Sequence, residues 1–133
     1  MGASEVFPLS DEEVQLLQHG LLEWAGPARC TEELAIAMGF SGVSDLISCG
    51  RRIRSLLDQR ECLEPIDWAR SLLATEVAFA SDVMGSGCEW ATTTGLSDEV
   101  TIKMLRGVQK KLRAEINLIS IDLETRSPMT ASE

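Results

Sequence analysis

Between its glycine and proline breaks, this chain places apolar residues at intervals of three and four. That spacing puts them on one face of a helix, whereas a strand needs strict alternation. Val14, Leu17, Leu21 and Trp24 form the first such stripe. It follows Ser10-Asp11-Glu12-Glu13, where a serine N-cap and a glutamate at the third helical position make a capping box. Gly26-Pro27 closes a helix predicted over 11–25. Thr31 caps a short second helix from Glu32 to Met38, ended by Gly39. A third opens at Ser41 or Ser44, with Val43, Leu46, Ile47, Gly50, Ile53 and Leu57 on its stripe. Gly50 there is expected to let a neighbouring helix come close.

Pro65 suits the first turn of a fourth helix over 65–84, which Gly85-Ser86-Gly87 breaks. At 100° per residue its apolar face runs Trp68, Phe79, Leu72, Val83, Ala69, Ala80, Leu73, Met84. The opposite face is narrow and small: Asp67, Arg70, Ser71, Ala74, Ala78, Ser81, Asp82. So wide an apolar face predicts a central helix. Thr92-Thr93-Thr94 have the β-branched character of a short extended piece near 90–94. Ser97-Asp98-Glu99 starts a fifth helix, carried by Met104, Leu105, Val108, Leu112, Ile116, Ile119 and Leu123. The sum is an all-α fold, a single compact bundle of about five helices over 1–124, with a disordered polar tail over 125–133 around Pro128. Leu9-Ser10-Asp11-Glu12 and Leu96-Ser97-Asp98-Glu99 share capping chemistry and are not a repeat.

At 133 residues, 44% apolar and 25% charged, the chain has an ordinary globular composition. No apolar run reaches the roughly 20 residues of a membrane span. Met1-Gly2-Ala3-Ser4-Glu5 has no basic then apolar pattern, so no secretory signal is read and a cytoplasmic location is expected. The net charge of -9 disfavours nucleic acid and anionic membrane as whole-molecule partners. Cys30, Cys49, Cys62 and Cys88 have no CxxC spacing, and His19 is the sole histidine. No metal and no cofactor is expected, and the cysteines read as small core side chains.

Glu76 falls near the middle of the apolar face of the fourth helix, where a carboxylate needs a partner. Arg54, on the apolar side of the third helix, is the expected one, forming a buried polar pair with Glu76. A pocket around Glu76, serving a small ligand or an enzyme, is a further alternative. Glu89 and Trp90, on the loop after Gly85-Ser86-Gly87, are candidate partner contacts. A Cys88–His19 dyad lacks support, because His19 groups with Gln15 and Glu23 on the polar face of the first helix. Lys103, Arg106, Lys110 and Arg113 form a basic row on the fifth helix.

Glu33-Leu34-Ala35-Ile36-Ala37-Met38-Gly39-Phe40-Ser41-Gly42-Val43-Ser44 resembles the helix-turn-helix of the arabinose-regulator type of activators. The likeness is local. It implies DNA binding by residues 31–54, although Gly50 stands where that family carries an aromatic, and Arg51, Arg52 and Arg54 come late in the second helix. The primary expectation is not an enzyme but a protein-interaction module, of the inhibitor, immunity or antitoxin kind. Its acidic face, Asp11, Glu12, Glu23, Glu32 and Glu33, would meet a basic protein partner. A DNA-binding regulator is the alternative, and self-association is left open.

Overall fold

The computed structural model describes residues 6–26 and 28–131, with side chains to residue 117. The chain is all helical, and no strand occurs among the described residues. The helices are α1 (Asp11–Glu23), α2 (Glu32–Ala37), α3 (Val43–Asp58), α4 (Pro65–Ala80), α5 (Trp90–Thr94) and α6 (Asp98–Ala131). A 3₁₀ turn, Gly87–Glu89, leads into α5. Among the described residues six helices therefore replace the five expected, and the extended piece at 90–94 is a helical turn instead. Thr94 Oγ1 donates to the Trp90 carbonyl at 2.7 Å, which satisfies the turn locally, and Gly95, at φ 79°, closes it in the left-handed region. Residues 132–133 of the expected tail lie outside the described residues, as do the side chains around its boundary at 124; the α6 backbone is helical to Ala131.

Local chemistry sets the boundaries. Ser10 and Glu13 form the reciprocal capping box on α1, and Thr31 Oγ1 accepts from Leu34 N at the start of α2. Val43 opens α3, and its N–H donates to the Glu32 carboxylate rather than to a serine cap. α4 stops at Ala80, not 84. Ser81 turns extended, its Oγ accepts from Met84 N, and Ser86 N donates to the Ala78 carbonyl at 2.6 Å. The chain thus folds back over the helix end and uses a terminal carbonyl. Gly87 sits at φ 45° with its Cα against Asp82, so a side chain there would be strained and would overlap Asp82.

α4 is central. It packs between α1 and α6 and also meets α3, while α1 in turn touches α3, α4 and α6. The core holds Leu16, Leu17, Leu46, Ile53, Leu57, Trp68, Trp90, Val108 and Leu112. The orientation of α4 differs from the expected one. Its small face, Asp67, Ser71, Ala74, Thr75 and Ala78, is the buried one, together with Trp68 and Leu72. Ala69 and Val77 are half-buried, and Ile66, Leu73 and Ala80 are exposed. Close approach is the reason. Gly20 of α1 lies directly against Thr75, and only small side chains fit between two helices at that separation. The buried hydroxyls are satisfied within the helix: Ser71 Oγ donates to the Trp68 carbonyl and Thr75 Oγ1 to the Ser71 carbonyl. Trp24 Nε1 spans the same interface to the Ala74 carbonyl at 3.0 Å. Gly50, expected at such a contact, meets only Leu21 Cδ2, 3.9 Å from where its Cβ would be.

Candidate functional site

Two surface features are built from paired helices. The first is the groove between α4 and α6. Glu76 Oε2 accepts from Gln109 Nε2 at 2.7 Å, and Gln109 Oε1 accepts from Arg106 at 2.7 Å. Phe79, Ala80, Ile102 and Leu105 line the rest of a cavity of about 310 Å³. The helices are therefore antiparallel along it. On the α4 side Ile66, Ala69, Leu73, Glu76 and Ala80 recur at offsets of three and four. Ile66 is 40% and Leu73 37% exposed; Ile102 opposite is 55% exposed. On the α6 side Ile102, Arg106, Gln109 and Arg113 follow the same rhythm, and Lys103 and Lys110 lie beside them. The whole basic row, Lys103, Arg106, Lys110 and Arg113, is exposed.

The second feature is a cleft of about 700 Å³ between α1 and α3. Gln15, Gln18, His19 and Leu22 face Arg51, Arg54, Ser55 and Asp58 across it. The expected Glu76–Arg54 pair is thus not made. Glu76 is half-buried beside α6 and bonded to Gln109, while Arg54 opens into the α1–α3 cleft. The wheel placed both on apolar sides correctly enough to bury them partly, but their two helices present those sides to different neighbours.

One ion pair with a buried carboxylate involves Asp67, which lies on the face opposite the apolar one on the helical wheel. Arg52 donates through both terminal nitrogens to its carboxylate at 3.0 and 3.1 Å, and Arg70 adds a third bond at 3.3 Å. Asp67 is 4% exposed, and this partner raises the Arg52 pKa further above its already high ordinary value. Arg70 also donates to the Gly39 carbonyl at 2.7 Å and lies over the Phe40 ring. The arginines and Asp67 tie the α2–α3 turn to α4. A clue was present in the sequence: Asp67 and Arg70 sit at i, i+3 on a face otherwise made of small residues.

Of the acidic set expected on one face, four residues are exposed and one, Glu23, is buried. Glu23 is buried and accepts from Ser86 Oγ and from Thr93 Oγ1. Asp11 is paired with Arg60 at 2.7 Å, and Glu32 caps α3. Glu12 and Glu33 are exposed. Glu13, not among the expected contacts, is buried and paired with Lys111 at 2.7 Å. Burial pushes its carboxyl pKa up, but hydrogen bonds from Lys111 and from Ser10 N–H outweigh this and hold it below the ordinary value. Glu89 is exposed, but Trp90 is fully buried, so the loop offers no aromatic anchor. Trp90 instead packs edge-on against Phe79 and donates to Thr101 Oγ1 at 2.8 Å.

Cys88 lies by Asp82, Phe79 and Asp98, away from the cleft that holds His19. A hydrogen bond to Asp82 and its negative charge raise the thiol pKa, which lowers its nucleophilic fraction. Cys30, Cys49 and Cys88 are free thiols. Among the described residues no His, Cys, Asp or Glu cluster could hold a metal ion, and no helix is long and apolar enough to cross a membrane. In the α2–α3 region that resembles a helix-turn-helix, the start of α3 presents two carboxylates. Asp45 accepts from Ser41 N and from Cys49, and the Ser41 N–H lowers its pKa; Glu32 accepts from Val43 N. Arg52 is held by Asp67, and Arg51 and Arg54 face α1. The chain matches no known protein family, no characterised protein and no solved structure.

Proposed function

We propose that this chain acts by binding rather than catalysis, as a protein-interaction module, and that the α4–α6 groove is its docking surface. One observation supports this most directly. The central helix of the fold leaves Ile66, Leu73 and Ala80 exposed, seven residues apart, on its unpacked face. Such a seam, with Ala69 and Glu76 between, is the pattern one helix offers another. The parallel row on α6 makes the second wall, so the surface fits a helix laid in a groove. Lys103, Arg106, Lys110 and Arg113 rim that wall, which favours an acidic amphipathic helix from the partner.

This reading keeps the interaction module expected from sequence but moves its surface. The burial of Glu23, the Asp11–Arg60 pair and the capping role of Glu32 weaken the acid-face version, which keeps Glu12 and Glu33 as its exposed acids without a partner among the described residues. A cytoplasmic setting belongs to the same proposal, supported by the free thiols of Cys30, Cys49 and Cys88. A photo-crosslinking residue at Leu73 or Ile102, in cells of the native host, tests it. A discrete protein adduct at both positions, lost on reversing the charges of Lys103 and Arg106, is the expected result. Adducts only from positions 12 and 33 would return the weight to the acidic side. Adducts with the chain itself would make the groove a self-association surface.

A further inference from the structure

The α1–α3 cleft holds groups that the docking reading does not use. Its walls match in rhythm: 15, 18, 19 and 22 on α1, and 51, 54, 55 and 58 on α3. Each set covers two turns of one helix face, so all eight side chains converge on one space. Its volume, about 700 Å³, is in the range of small-molecule sites.

The cleft gathers two cations that make no ion pair, as Arg29 and the basic row of α6 also make none among the described residues. The protein carries a net -9, and Arg52, Arg60, Arg70 and Lys111 each have an acidic partner. Arg51 and Arg54 have none among the described residues, and both line the cleft. Arg54 is the more telling. Its Nε is buried and donates to nothing, although a buried donor left unmade is costly. Gln18 Nε2 donates to the Arg54 carbonyl at 3.2 Å and fixes that turn of α3 against α1. His19, Gln15 and Ser55 add further polar groups, and Asp58 is the one carboxylate in the lining. Leu22, 47% exposed, supplies an apolar surface beside them.

We infer that this cleft binds a small organic phosphate monoester. Two guanidinium groups and an imidazole match a dianionic, multi-acceptor head better than a single carboxylate, and guanidinium is suited to paired bonds with phosphate oxygens. The head takes up the terminal guanidinium nitrogens of Arg51 and Arg54, which line the cleft, while the Arg54 Nε stays buried behind them. The organic part lies on Leu22.

The test uses the full chain and phenyl phosphate as probe, with inorganic phosphate and benzoate as comparisons. Binding is followed by calorimetry and by the arginine Nε–H signals in NMR. Phenyl phosphate is expected to bind with millimolar or tighter affinity, to shift the Arg54 Nε–H signal, and to lose about tenfold or more in affinity in Arg51→Gln. Arg29→Gln, an exposed arginine outside both grooves, is expected to bind as the parent does. Arg54→Gln should also lose binding, with its melting curve recorded because its Nε is buried. Arg51 is exposed, so its variant keeps the test decisive if Arg54→Gln does not fold. Equal losses in Arg51→Gln and Arg29→Gln would overturn the site in favour of diffuse charge. Tighter binding of benzoate would overturn the phosphate assignment, and equally tight inorganic phosphate would overturn the organic one. No binding by about 10 mM phenyl phosphate would overturn the inference as a whole.

Discussion

Gly20 of α1 and Thr75 of α4 lie so close that a Cβ on Gly20 would come within 2.7 Å of the Thr75 Cα. The Thr75 Oγ1 and Cβ lie nearer still, and because the Thr75 backbone is in the way as well, rotating the side chain gives no relief and the helices would have to separate. Gly20→Ala is therefore expected to destabilise by about 1–3 kcal/mol or more, by overpacking. Gly50→Ala is the contrast. Its Cβ would meet nothing nearer than 3.9 Å, and removing a mid-helix glycine is expected to stabilise by roughly 0.5–1 kcal/mol. Urea unfolding of both variants checks the pair; equal losses would contradict the packing described.

Asp67 gathers Arg52 and Arg70, and its burial makes the arginines unequal in consequence. Losing one leaves the other in place. Arg52→Met is expected to cost about 1 kcal/mol, since its side chain is 48% exposed. The double variant with Arg70→Met leaves a buried carboxylate alone and is expected to cost about 3–5 kcal/mol. Thermal and urea unfolding report the difference. A double loss equal to the sum of small single losses would argue against a shared carboxylate.

Glu13 gives the acid side of the stability curve a specific cause. Its folded pKa is depressed, so the unfolded chain takes up the proton first as pH falls. The contribution is full above the unfolded value of about 4.3 and is lost as pH drops through the lower folded value. Lys111→Met should cost about 1 kcal/mol at neutral pH and less below about pH 4. Unfolding free energies from pH 7 to 3 check this. A constant difference across that range would remove the pair from the explanation.

Glu76 and Arg54 lie in different clefts, so their energetics should be independent. Glu76→Gln is expected within about 0.5 kcal/mol of the parent, because an amide can still bond Gln109. A double-mutant cycle with Arg54→Gln should give a coupling energy of about zero, against the roughly 0.5–3 kcal/mol of a contacting pair. A coupling in that range would restore the pair expected from the wheel.

Residue spacing was enough to determine five of the six described helices, though not α5, which it read as an extended piece. Ser10 and Glu13 sit three apart, Pro65 leads a run without breakers, and Gly26, Gly39 and Gly95 mark ends, because caps and breaks are local chemistry. Trp90 shows where locality fails. In sequence it is a tryptophan on a glycine-rich loop; in space it is buried between Phe79 and Thr101, which lie eleven residues before and after it. Which face of α4 turns inward was likewise beyond the wheel. Its two sides, Leu73 with Ala80 and Ser71 with Ala74, Thr75 and Ala78, both suit burial by size or by satisfied hydroxyls. Gly20, fifty-five residues away, decides between them, because a glycine lets backbones approach only where the facing residues are small. The charged pairs follow from that choice. Turning the small face inward carries Asp67 in with Arg52 and Arg70, takes Glu76 to α6, and leaves Arg54 to the α1–α3 cleft. Helix formation depends on neighbours in sequence; helix rotation depends on what the partner helix leaves room for, and only the tertiary structure contains that.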